Sequence, residues 1–231
     1  MRVARIVLIV VVILGGLFVV ADRIAVHVAE SKAAERAQSS EGLATRPKVS
    51  IEGFPFLTQV AGGKLHDVTI TADDIATGDG QQAVRIDTFH ADLHGVKLSG
   101  DFTRAVADTA DGSAFITYAD LTKSAPKGIT VGYGGTDKNG RAMVKLTGSF
   151  MQSQLSVLSQ VTVRGADQIG LHAEGLPKAF TALGLEDQVR QQIDFTTQLT
   201  HLPSGISLTD VTTGPEGITV AAAGKDVVLA N

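Results

Sequence analysis

Between Pro47 and Asp74 the chain changes its period twice, and this restricts what it can fold into. Val49 and Ile51 alternate with polar residues, as on a half-buried strand. Gly53 and Pro55 then stop regular pairing, because glycine tolerates unusual backbone angles and proline offers no N–H. Two phenylalanines, Phe54 and Phe56, flank that proline. Phe56, Leu57 and Val60 are spaced to share one face of a helical turn. Gly62-Gly63 ends the turn, and Val68, Ile70 and Ala72 resume the two-residue period. The stretch predicts strand, corner, helical turn and strand. Two uses fit it: a packed core corner that plugs one end of a sheet, or the apolar lip of a greasy groove.

The run P-x-V-x-I-x-GFPFLTQV, the glycine-rich break and the following V-T-I-T-A-D-D resemble the LmeA family of actinobacterial envelope proteins. Short echoes, ADLHGVKL and LPSGISL, extend the likeness downstream. The resemblance implies phospholipid binding and a role in lipomannan elongation and maintenance. It implies a phospholipid partner, of phosphatidylinositol or another type, with an envelope glycosyltransferase nearby. No catalytic motif comes with it.

Composition narrows the fold class. Hydrophobic residues make up 44% of the 231, yet aromatics are 5% and tryptophan is absent, so Val, Ile, Leu and Ala must build the core. The 25 glycines favour many turns and a β-rich architecture. A formal charge of −4 argues against broad nucleic-acid binding, which needs basic surface. Cysteine is absent, which removes disulfides, thiolate metal sites and a thiol nucleophile. A chain of this length needs no covalent staple, so export remains open.

Residues 1–21 read as a signal peptide or a signal anchor. Arg2 and Arg5 precede an apolar run from Ile6 to Ala21 that would span about 24 Å as a helix. That is short of the roughly 30 Å hydrocarbon core and long for a signal peptide. Val19 and Ala21 offer a small-residue cleavage site before Asp22. Either reading places residues 22–231, a single domain, on the outer side of the cytoplasmic membrane, with the N-terminus inside.

Residues 22–42 read as a helix, with Ala25, Ala29, Ala33 and Ala37 in an i, i+4 row and Ile24 and Val28 beside it. The row suits a helix laid on a sheet; a solvated stalk is the other reading. Asp79-Gly80 marks a turn. From Val84 to Ser99 the apolar phase shifts: Val84 and Ile86, then Phe89, Ala91 and Leu93, then Val96 and Leu98. Such shifts predict bulges or sharp coiling, aided by Gly95. Residues 101–112 read as a loop or short helix, 114–118 as a strand and 119–124 as a helical turn. Ile129, Val131 and Tyr133 lead to a GGTDKNG hairpin tip, and Ala142 to Phe150 return. Leu155, Val157, Val161 and Val163 continue the alternation, followed by Ile169, Leu171 and Ala173. A helix starts at Pro177, and a second helical piece is expected over Leu185–Ile193. The last strands run over 195–199, 206–208 and 218–222, with a final edge strand at 227–229.

Candidate chemistry is thin. His90, Asp92 and His94 share one strand face and are zinc-binding types, but Phe89, Ala91 and Leu93 need the buried face, which leaves the three in solvent. Asp73-Asp74 fits a strand end better than a calcium loop. His66-Asp67 fits polar strand positions. Lys64, Arg85, Lys97, Arg104, Lys123 and Lys127 are scattered cations that suit solubility or a lipid phosphate. No Gly-x-Ser-x-Gly elbow, Walker loop or dinucleotide fingerprint occurs.

The sequence therefore predicts an α+β, mostly β fold: a long, strongly coiled antiparallel sheet wrapped around or against the N-terminal helix, with a TULIP-like half-barrel as one form. The expected function is non-enzymatic phospholipid binding in an apolar groove lined by Phe54, Phe56, Leu57, Val60, Leu155, Val157 and Val161. No catalytic residue, metal or cofactor is assigned. A scaffold protein without specific lipid binding and an envelope hydrolase acting through Asp92 or Asp73 are the competing readings.

Overall fold

The computed structural model describes residues 2–77, 84–99, 104–150, 153–176, 184, 190, 194–198 and 202–230. The Asp79-Gly80 turn and both helical pieces expected after Pro177 lie outside these residues.

Helix α1 (Arg2–Ser40) is one unbroken helix of 39 residues, about 58 Å long. Its first half is apolar and exposed, long and apolar enough to cross a membrane. Its second half lies on a six-stranded sheet of β1 (Lys48–Glu52), β2 (Lys64–Thr77), β3 (Val84–Leu98), β4 (Ala105–Thr117), β11 (Gly217–Ala230) and β10 (Ile206–Thr213), in the order β1-β2-β3-β4-β11-β10. A second sheet of five strands runs in sequence order: β5 (Ile129–Thr136), β6 (Ala142–Phe150), β7 (Ser153–Arg164), β8 (Gln168–Glu174) and β9 (Phe195–Gln198). Every pairing in both sheets is antiparallel. The second sheet and α3 (Tyr118–Ser124) are inserted between β4 and β10.

The phase shifts read in β3 are realised as a matched kink. On β3 the buried side passes from Leu93 to Val96, on β2 from Val68 to Leu65, on β4 from Ala110 to Ala107, and on β11 from Val220 to Val227. Pairing stays in step through the change: Leu65↔Val96, Val96↔Ala107 and Val227↔Ala107 align on one side, Asp67↔His94, His94↔Thr109 and Lys225↔Thr109 on the other. A slip in one strand alone would turn its apolar side chains outward. Four strands slipping in one row keep their ladder and bend together. Gly95 (φ +65°) and Asp226 (φ +50°) take left-handed conformations in that row. A Cβ on Gly95 would lie 2.5 Å from the Asp108 carboxylate, so the row accepts little but glycine there.

Two apolar clusters result. One joins Val26 and Ala34 of α1 to Val49, Phe56, Leu65, Val68, Leu93, Val96, Ala107, Ala110 and Val227. The other joins Val144, Leu146 and Val161 of the second sheet to Tyr118, Leu208, Val211, Ile218 and Val220.

Three expectations are corrected. Residues 105–112 are strand, because a place between β3 and β11 overrides the weak strand propensity of Ala and Asp. Residues 227–229 form no separate strand: they continue β11, paired with β4. The helix seats itself on Asp22, Val26 and Ala34, so Ala33 is exposed while Ala25 and Ala29 flank the contact.

Candidate functional site

The corner takes its shape from α2 (Phe56–Ala61), which follows the cis Phe54–Pro55 peptide. Phe56 is buried among the side chains of the first cluster, with Leu57 and Val60 packed against it. Phe54 points the other way and is 58% exposed, its ring 5.3 Å from the Arg23 guanidinium.

Two side chains that sequence reasoning missed hold this corner. Asp22, fully buried on α1, accepts the Leu57 N–H at 2.8 Å and pairs with Arg23 at 2.6 Å. No side chain of the chain entering α2 caps it; Asp22 does so from another element, placing negative charge at the first turn. Gln59, also buried, donates to the Glu52 carbonyl at 3.2 Å and accepts the His66 N–H at 2.8 Å. It lies beneath Gly53 (φ +95°), where a Cβ would come within 2.8 Å of its amide nitrogen. No spacing rule singles out either residue, since each works across a fold-made contact. Further along α1, Glu30 accepts the Ile51 N–H of edge strand β1 at 2.9 Å.

The remaining expected groove residues lie elsewhere. Leu155, Val157 and Val161 share one face of β7, with Val157 and Val161 buried and Leu155 half-buried. Phe56, Leu57 and Val60 belong to the first cluster and Val161 to the second, so the structure does not bring the two sets together. Between Val157 and Val161, opposite Val144 and Ala173, lies the fully buried Ser159, whose hydroxyl has no hydrogen-bond partner among the described residues. One groove, of about 420 Å³, has a mixed lining: Thr136, Arg141, Gln160 and Asp210 with Val161 and Val211.

The candidate metal strand carries its polar side chains on the solvent face. His90 contacts Asp92 at 3.0 Å, Thr69 donates to Asp92 at 2.8 Å, and His94 contacts Asp67 at 2.5 Å. The Thr69 hydroxyl and the His90 ring hold the Asp92 carboxyl below the usual range, and Asp67 pushes the His94 imidazole up. No group of three His, Cys, Asp or Glu among the described residues is placed to share a metal ion. Asp74, at φ +60°, pairs with Arg85. Lys64 and Lys97 both bind Asp108, at 2.7 and 2.6 Å, and bring its pKa down to about 2.

A mostly β wall with a seated helix, a poor aromatic inventory and the GFPFLTQV corner frame one comparison. The profile of the LmeA-like phospholipid-binding family matches residues 20–223. The chain belongs to that family. Neither the curated proteins nor the solved structures hold a match to it. The LmeA-like match begins near the end of the exposed apolar half of α1, takes in the corner and the β7 wall, and stops in β11 just before the kink residues Lys225–Val227.

Proposed function

We propose that this LmeA-like protein is a non-enzymatic phospholipid carrier or holder of the cell envelope. Acyl chains lie against the aliphatic wall of Leu155, Val157 and Val161 on the second sheet, while the Phe54–Val60 corner, on the first sheet, is a separate apolar contact with lipid. Membership of a phospholipid-binding family is the observation that carries this reading. Ser159 supports it: a buried hydroxyl without a partner in an aliphatic wall is costly, and a lipid ester oxygen would satisfy it. Each buried CH₂ contributes roughly 0.8 kcal/mol, so half of one acyl chain supplies several kcal/mol. Because Phe56, Val157 and Val161 are already packed, lipid uptake requires the wall to part from its neighbours.

The head group in this proposal is of phosphatidylinositol or another phospholipid type. The protein works on the outer side of the cytoplasmic membrane, its N-terminus inside, and supports upkeep of lipomannan-type glycolipid beside an envelope glycosyltransferase. The packed position of Phe56 favours the second reading, a scaffold without specific lipid binding. Lipid transfer between donor and acceptor liposomes separates the two. Wild type should transfer labelled phospholipid, and Leu155→Arg should lose most of that activity while keeping its β-sheet circular dichroism. Absence of transfer by wild type favours the scaffold; full transfer by Leu155→Arg removes the β7 wall from the site.

A further inference from the structure

The apolar half of α1 and the corner belong to one rigid piece of geometry. The helix does not break at Ala21, and its next residue, Asp22, is hydrogen-bonded to Leu57 of α2. The apolar half of a helix long and apolar enough to cross a bilayer therefore runs up to the corner, where Asp22 meets α2. Phe54 stands there 58% exposed, a large aromatic side chain with no apolar cover. Arg23 lies over its ring, pairing an apolar body with a cation at the position where such pairs sit at membrane interfaces. The exposed apolar stripe of α1 does not stop at Ala21 either: Ile24 is 59% and Val28 49% exposed, on the side of the helix away from the sheet. The Gly63 carbonyl accepts the Leu98 N–H at 2.9 Å, so this same end of the molecule carries the end of β3. Tyr118, α3 and the second sheet occupy the opposite end of the long strands.

We propose that this end of the first sheet docks on a phospholipid bilayer surface, with Phe54 inserted at headgroup depth beside Arg23 and flanked by Ile24 and Val28. The occupant is the membrane that the helix itself crosses, since the surface is continuous with that helix. The docking does not depend on lipid uptake: it holds equally for a scaffold.

The chain has no cysteine, so a single nitroxide label can be placed at will. The full chain carrying Phe54→Cys, labelled and reconstituted in phosphatidylcholine–phosphatidylglycerol vesicles, is compared with Tyr133→Cys on β5. Tyr133 is 45% exposed and lies on the second sheet. Electron paramagnetic resonance reads collisions with oxygen, which concentrates in the bilayer, and with a water-soluble nickel chelate. The oxygen-to-nickel ratio at position 54 should exceed that at 133 several-fold. Equal ratios at the two positions would overturn the proposal. Lipid transfer between donor and acceptor liposomes is scored separately, so docking and uptake can fail independently.

Discussion

Gln59 shows how much rests on one side chain at the corner. Its amide serves the Glu52 carbonyl and the His66 N–H at once, so Gln59→Leu keeps the volume and strands two backbone groups. Glu52 and His66 are exposed residues, so water replaces part of the loss and each bond contributes about 0.5–1.5 kcal/mol. Urea unfolding should show a loss in that range or above, whereas Thr58→Ala, on the exposed side of α2, should stay within about 0.5 kcal/mol. Asp108 makes a pH prediction. Its pKa is about 2, held down by Lys64 and Lys97, below an unfolded value near 3.9. A depressed carboxylate stabilises fully above the unfolded value and loses that contribution as pH falls through the folded one. Wild type should therefore lose stability between pH 4 and pH 2 more steeply than Asp108→Asn, as read by urea midpoints across that range. His94 works in the other direction: its pKa is raised by Asp67, so its contribution is complete below about 6.5 and fades as pH rises through the raised value. At this scale the sequence marked Phe54 and Phe56 but could not divide their roles. One ring is core and the other is surface, a difference decided by which way the chain leaves Gly53. Asp22, Gln59 and Ser159 were illegible, because partners 35 and 7 residues away, or the lack of any partner, follow only from the fold.

Among the elements, α1 and α2 depend on each other through Asp22. Asp22→Ala removes the acceptor at the first turn of α2, which has no cap of its own. Hydrogen exchange should quicken at the Leu57 amide while β3 and β4 amides keep their protection; uniform quickening would show that the corner and sheet open together. The kink row gives a second test at this scale. Gly95→Val meets both a positive φ and the Asp108 carboxylate, and should cost more than the 1–3 kcal/mol of backbone strain alone. β3 was legible because three apolar phases in one strand have no flat-sheet solution. β4 was not, because Ala and Asp in alternation carry no strand signal; burial of Ala107 and Ala110 against the helix-bearing face supplies it. Asp226, at φ +50°, carries the kink on β11 while Lys225 and Val227 on either side stay paired with β4.

The whole molecule is a long helix seated on a bent sheet, with a second sheet inserted between β4 and β10. The likeness of the Pro47–Asp74 stretch to a lipid-binding family was readable from the chain, as was the β-rich class. The pairing of β4 with β11 was not, since it joins strands at residues 105–117 and 217–230, and local pattern carries no information across such a gap. The second sheet explains why the expected groove residues fall into two sets: the corner belongs to one sheet and the β7 wall to the other. Phospholipid binding by this whole assembly is the central claim. Native mass spectrometry of the full chain, purified from a membrane-containing host in mild detergent, tests it most directly. The account predicts a bound mass of one phospholipid that survives detergent exchange and falls away in Leu155→Arg. A bare protein mass in wild type, before and after incubation with phosphatidylinositol and phosphatidylglycerol vesicles, would contradict it.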